Sequence, residues 1–402
     1  MNILYYSPIP FYPVRHGNIS TINQYVKRLK KLGHNVHFVL LNEADIDDCV
    51  KTEMQKDVNT LDVIPFRNSR FVQDSNGYDV FDSRYQDGLG EEINLLCKKY
   101  KIEAIICTYI WQSKILDYVP SNVRKIIDTH DKMTDRHLAL AKNNIVQEMF
   151  SCTQEDEKKY LNRADIIWAR RDEETHYFNK ITNSTKAITV THFEDAMFLK
   201  KTYNKLTKIG ILASDNQVNF KMVCDFAVEF NKRLRKQKLD IICQVTGNVK
   251  NMIFARKKPF RRFSNCYYKM IGRNDKIKGL YEYLFSSKYY DFTGPISNIE
   301  DFYNDVDLVI IPITFGTGIN VKMVQAMAFG VPVISTECGI KGMLSNVELH
   351  HCKDITELVN GIYEIYRNPT KLNFLAHASE QCYDRFLSNA TINFDKTFEG
   401  KI

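Results

Sequence analysis

Short runs of β-branched and apolar residues recur along this chain with helical stretches between them, and that alternation leaves few folds open. Strands buried on both faces read as near-continuous apolar runs, and parallel strands need a crossover helix between them. In the first half the runs are 3–6, 36–41, 104–108, 125–128, 166–169 and 187–190. Between the first two, Ile22, Tyr25, Val26, Leu29 and Leu32 keep helical spacing, and Gly33 stops the helix. The pattern fades through the polar stretch 200–208 and restarts at 209–213, followed by 239–245, 290–293, 307–311 and 331–335. A chain of 402 residues is too long for one ordinary core. The expectation is an α/β protein with two doubly wound domains, 1–200 and 201–385.

The densest chemical signal follows the run 307–311. An apolar strand leads into Pro312 and then Gly316, Thr317 and Gly318, and a helix starts near Asn320. Glycines let the backbone approach an anion closely, and a helix N-terminus presents free N–H groups with a partial positive charge. Lys322 and Gln325, three apart, project from nearly the same helix face. The lysine would neutralise a diphosphate and the glutamine amide would reach a ribose hydroxyl; the plain readings are a solvated lysine and a surface filler. Ile319, Val324, Met327 and Ala328 read most simply as core contacts.

A second glycine turn, with Gly17 and Asn18, follows the first strand. It lacks the three spaced glycines and trailing acid of the dinucleotide fingerprint, which counts against a nicotinamide enzyme. A third cluster, Asp128, Thr129, His130 and Asp131, closes a buried strand at the sheet edge where open α/β sheets bind ligands. His130 or Asp131 would reach a substrate hydroxyl there; a packed imidazole and a capping carboxylate are the alternatives. Capping accounts for the acids at 172–174, and a turn with a cap for 214–219. The Asp-, Ser-, Gly- and Tyr-rich stretch 74–90 reads as a long loop, a place where an acceptor could bind.

Composition narrows the function classes. Hydrophobic residues at 44% and charged residues at 26% favour a globular chain over disorder. No apolar run is long enough to span a bilayer, and the first residues read as a strand, which places the protein in the cytoplasm. The ten cysteines never form a Cys-x-x-Cys pair and read as buried thiols. No metal or other cofactor is expected. Arg256, Lys257, Lys258, Arg261 and Arg262 form a dense basic patch. It is either a solvated loop or a contact for an anionic ligand or an inner membrane face; no nucleic-acid motif accompanies it.

The stretch from Gly316 through Lys322, Gln325, Gly330 and Pro332 to Thr336, with Gly339 and Gly342 beyond, resembles the donor-binding signature of the retaining nucleotide-sugar glycosyltransferases called group one, which have the GT-B fold. Gly17 with Asn18, the segment 128–131, the segment 160–165, Ser214 and Gly294 follow in that family's order. The resemblance implies two Rossmann-like domains facing across a cleft, with a last helix, 386–402, crossing back to the first. It implies donor contacts at Gly17, Asn18, Ser214, Gly316, Thr317, Gly318, Ile319, Asn320, Lys322 and Gln325, and catalytic roles for His130 and Asp131. The implied substrates are a nucleotide sugar and a saccharide or lipid-linked saccharide acceptor in surface polysaccharide or glycoconjugate synthesis. Two departures stand out. Many members carry glutamates where this chain has Thr317 and Gln325, and the arginine and lysine that often follow the first strand of the second domain are missing from 214–219. A nucleotide-sugar epimerase of the same fold, and a homologue that binds without turnover, are the alternative functions.

Overall fold

The computed structural model describes residues 1–14, 17–67, 72–145, 150–254, 285, 288–316 and 318–399. Two separate parallel sheets form. The first is built from β1 (Asn2–Ser7), β2 (Asn35–Asn42), β3 (Thr60–Pro65), β4 (Ala104–Thr108), β5 (Arg124–Asp128), β6 (Ile166–Ala169) and β7 (Lys186–Thr189), in the order β3-β2-β1-β4-β5-β6-β7. The second contains β8 (Lys208–Leu212), β9 (Ile242–Thr246), β10 (Tyr290–Gly294), β11 (Leu308–Ile311) and β12 (Val333–Ser335), in the order β10-β9-β8-β11-β12. Every pairing is parallel. In each sheet the strand order reverses once, beside β1 and β4 in the first and beside β8 and β11 in the second. Helices leave opposite faces on either side of such a reversal, so a crevice opens there at the carboxyl ends of the strands.

β3 was not expected from the sequence. It is an edge strand, four of its six residues are half-buried, and Pro65 closes it where no further ladder donor is needed. The first turn after β1 leads into a helix, Gly17–Lys31, whose buried face includes Ile22, Tyr25, Val26 and Leu29, the residues whose spacing predicts it.

A single helix, Thr370–Phe398, joins the two halves. Its early residues Leu372 and Leu375 belong to the core of the second sheet. Phe394 and Phe398 pack on Trp168 of β6, with ring centroids 5.1 and 6.0 Å away. The Trp168 indole N–H donates to the Thr397 hydroxyl at 3.2 Å, and Arg28 forms an ion pair with Asp395. One apolar cluster is continuous from Ile3 and Tyr25 through Phe193 of the linker to Met323, Val324 and Phe329. The linker also runs along the end of the helix Val321–Ala328, with Met197 N–H on Ala328 O at 2.8 Å and Leu199 N–H on Phe329 O at 2.9 Å.

Of the nine described cysteines, six are buried, while Cys49 is exposed. The loop 74–90 is fixed to the first domain rather than free: Asp79 accepts from Ser151 N–H at 2.8 Å, and Arg163 grips Asp82 at 2.7 Å. Among the described residues no helix is long and apolar enough to cross a membrane.

Candidate functional site

The carboxyl ends of the two sheets face each other, and the expected site residues gather where they meet. On the second domain, the stretch after β11 passes Gly316 and Gly318 into the helix Val321–Ala328, whose cap is the Asn320 side chain, accepting from Lys322 N–H at 3.1 Å. Thr317 lies outside the described residues, as do Arg256, Lys257, Lys258, Arg261 and Arg262. Lys322 reaches back across the strand-order reversal, and its ammonium donates to Asn219 Oδ1 at 2.6 Å. Asn219, in the first turn of the helix following β8, in turn donates to the Ser214 hydroxyl at 2.8 Å. The lysine keeps some solvent contact but sits deep in the cleft. That burial pushes its ammonium down to about 8, with no carboxylate among the described residues to offset it.

Gly318 is glycine for a physical reason. Its φ of +72° is a left-handed conformation, and a Cβ there would lie 2.7 Å from Asp131 Oδ1 and 3.3 Å from the His130 carbonyl. Gly316 has no such constraint, since a Cβ would meet Ile313 at an ordinary 3.6 Å. The first-domain glycine turn closes on the same helix: a Cβ on Gly17 would stand 3.1 Å from Val321. Ile319 faces Gly342, whose own Cβ would lie 3.4 Å from it and 3.5 Å from Arg171.

On the first domain, Asn18 donates to the Tyr109 hydroxyl at 2.7 Å, bridging the β1 and β4 ends at the strand-order reversal. The Tyr109 ring lies 4.6 Å from the His130 ring. Both residues have positive φ, 70° and 61°, a strained state that persists only where the surroundings dictate it. His130 is buried, with Nε2 at 3.3 Å from Asp128. Asp128 and Arg170 form a fully buried ion pair at 2.5 Å, and Arg170 also donates to the Tyr25 hydroxyl. Burial opposes the Asp128 charge, but Arg170 and His130 outweigh it and hold the carboxyl below its usual range. Burial likewise lowers the His130 imidazole, against the pull of Asp128. Asp131 pairs with Arg136 at 3.3 Å.

Several participants escaped the sequence reading. Glu174, explained there as a helix cap, accepts from Gly318 N–H across the cleft at 3.2 Å. Arg170 anchors Asp128, and Asn219 holds Lys322. Gln325 bonds inside the protein: Tyr303 donates to its Oε1 at 3.3 Å, and its Nε2 lies 3.5 Å from Glu194.

Residues 207–368 match the family model "Glycosyl transferases group 1", which covers β8 to β12 and the helix bearing Lys322. Residues 207–368 are a group 1 glycosyl transferase domain. No curated protein matches the chain by sequence. Among solved structures it is similar to Anabaena Alr3699/HepE in complex with UDP and glucose, at 12% identity over 100% of both chains and a TM-score of 0.64. It is also similar to sucrose-phosphate synthase from Thermosynechococcus elongatus, at 14% identity over 99% of this chain and 98% of that one, with a TM-score of 0.65. A mutant of S. aureus TarM in complex with Fondaparinux, alpha-GlcNAc-glycerol and UDP gives 10% identity, 96% and 97% coverage and a TM-score of 0.63. Identities this low show the fold alone. The glycosyl transferase domain and its partner domain thus have the GT-B architecture, two Rossmann-like halves across a cleft, and that expectation from the sequence holds.

Proposed function

We propose that this chain moves a sugar from a nucleoside diphosphate sugar to an acceptor hydroxyl with retention at the anomeric carbon. The acceptor is a saccharide or lipid-linked saccharide in surface polysaccharide or glycoconjugate synthesis. The observation that carries the reading is Lys322: a cation sunk in an interdomain cleft, beside a glycine turn and a helix N-terminus, held by one neutral oxygen and by no carboxylate among the described residues. An ammonium so placed is matched by a bound anion, and a diphosphate leaving group needs such a partner. The HepE complexes with UDP and UDP-glucose make UDP the first nucleotide to try.

In this reading Lys322 and the backbone around Gly318 and Asn320 take the diphosphate, and His130 and Asp131 stand opposite, beside the donor sugar. Asp128, 3.3 Å from Nε2, favours the neutral-ring proton there, which would leave Nδ1 as an acceptor for a sugar hydroxyl. Gln325 supports the helix instead of the ribose. The proposed peripheral contact with a membrane face, through Arg256, Lys257, Lys258, Arg261 and Arg262, rests on their charge alone.

Thermal unfolding against UDP, GDP, ADP, CMP and NAD in large excess tests the nucleotide site. One nucleoside diphosphate raising the midpoint by a few degrees is the expected result, since a ligand at 100 times its dissociation constant stabilises by about 2.7 kcal/mol. No shift with any of them would sink the reading. A second reading, binding without turnover, is favoured by the amide at 325 bonding inside the protein where the family has a glutamate. Release of nucleotide from the sugar donor, with and without candidate acceptors, separates the two.

A further inference from the structure

Glu174 is the third residue of the helix Asp172–Ile181, and its two oxygens go in different directions. Oε2 accepts from Arg170 N–H at 3.1 Å, the kind of local bond that a glutamate makes at a helix start. Oε1 crosses the cleft to Gly318 N–H at 3.2 Å. Capping needs only the first bond. The second ties a buried carboxyl of one domain to a backbone amide of the other, in the very turn that would hold the donor. Asp131 crowds the same glycine, with Oδ1 at 2.7 Å from where a Cβ would be. Two acids thus stand against one glycine, and one of them holds its amide.

We propose that Glu174 is an internal stand-in for the donor's anionic group: without nucleotide its carboxylate holds Gly318 N–H and latches the domains together, and the donor must displace it. This rests on the nucleotide reading of the 316–318 turn. The carboxylate opposes the donor twice, by competing for the amide and by repelling the diphosphate. Burial first, then Asp131, push this carboxyl up to about 7, against Arg171 at 3.6 Å and the two backbone N–H groups. Arg136 is engaged with Asp131. An acid raised in this way is increasingly neutral as pH falls through about 7, so repulsion fades on the acid side and grows on the alkaline side. Lys322 loses charge near 8, which weakens anion binding above that pH whatever stands at 174.

The test is calorimetric titration with UDP of the wild type, Glu174→Gln and Glu174→Asp, at about pH 6 and about pH 8. Each protein's thermal midpoint is read alongside to verify folding. At the higher pH, Glu174→Gln is expected to bind UDP roughly tenfold more tightly than wild type, the worth of one hydrogen bond to a charged group. The advantage shrinks toward unity at the lower pH. Glu174→Asp keeps the charge but is one methylene too short for Gly318, so it binds more tightly than wild type yet keeps the pH dependence; it also carries the test should the glutamine variant fail to fold. Equal or weaker UDP binding in folded variants at the higher pH overturns the latch and leaves the nucleotide site standing. No UDP binding by wild type or either variant overturns the nucleotide reading, and the latch with it.

Discussion

Replacing Lys322 by methionine should make the empty protein more stable and the liganded protein less so. The ammonium lies in the cleft with Asn219 Oδ1 as partner, and burial lowers it from its usual 10.5 to about 8. A folded-state value below the unfolded one means that folding opposes the charge. The cost is fully present below the folded value, hence at neutral pH, and vanishes above the unfolded value. The shift corresponds to roughly 3 kcal/mol, which partial solvent contact reduces to about 2. Methionine removes that cost but leaves Asn219 short of a donor, a loss of about 1 kcal/mol. The net gain is about 1 kcal/mol, a rise of roughly 2–4 °C in the midpoint of a domain this size. Calorimetric unfolding with and without saturating UDP reads both sides: wild type should gain about 2.7 kcal/mol at 100 times its dissociation constant, the variant almost nothing. A variant that is less stable when empty, or that keeps its response to UDP, would refute this account of Lys322.

Other substitutions probe separate parts of the same design. Gly318→Ala forces a Cβ to 2.7 Å from Asp131 in a left-handed conformation, so nucleotide affinity should fall about tenfold or more while circular dichroism stays native. Gly210→Ala places a Cβ 2.6 Å from Phe302 and 2.7 Å from Val306, both in the apolar cluster shared by the two domains; about 1–3 kcal/mol of stability should be lost in urea unfolding, without loss of affinity per folded molecule. Asp128→Asn strands the buried Arg170 guanidinium and should cost about 3–5 kcal/mol, visible as a lower denaturant midpoint.

What the sequence made legible is what short-range physics controls. Most of the apolar runs are buried strands in the structure, with β7 and β10 at the sheet edges only partly buried, and the helix after Asn320 starts where a side-chain cap allows it. The strand Thr60–Pro65 escaped because an edge position mixes Asp62 and Pro65 into its run and leaves it half-buried, so neither a continuous apolar stretch nor a clean alternation appears. Contacts across the cleft escaped for a different reason. The acid at 174 satisfies a local capping rule, and nothing in the nearby sequence says that its second oxygen meets a glycine 144 positions away. The same holds for Asn219, which looks like the first turn of a helix until Lys322 arrives from the neighbouring crossover.

The neutral residue at 325 becomes intelligible from its surroundings. Glu194, in the linker between the domains, accepts from the Ser20 hydroxyl at 2.6 Å and the Gln24 amide at 2.6 Å, and lies 3.0 Å from His192 Nε2. Burial opposes its charge, but His192, Ser20 and Gln24 outweigh that and hold the carboxyl below its usual range. Gln325 brings a donor, 3.5 Å from Glu194 Oε1, and so fastens the helix carrying Lys322 to the linker. A glutamate at 325 would instead set a second carboxylate beside a buried one. Two like charges at that spacing repel by about 5 kcal/mol at an effective dielectric of 20. Gln325→Glu should therefore lower stability by about 2–4 kcal/mol at alkaline pH, and by less in mild acid, because one of the two carboxyls takes up a proton and removes the repulsion. Urea unfolding at about pH 5 and about pH 8 reads the difference. Equal midpoints for variant and wild type at both values would show that Gln325 does not meet Glu194, and position 325 would return to the donor side of the cleft.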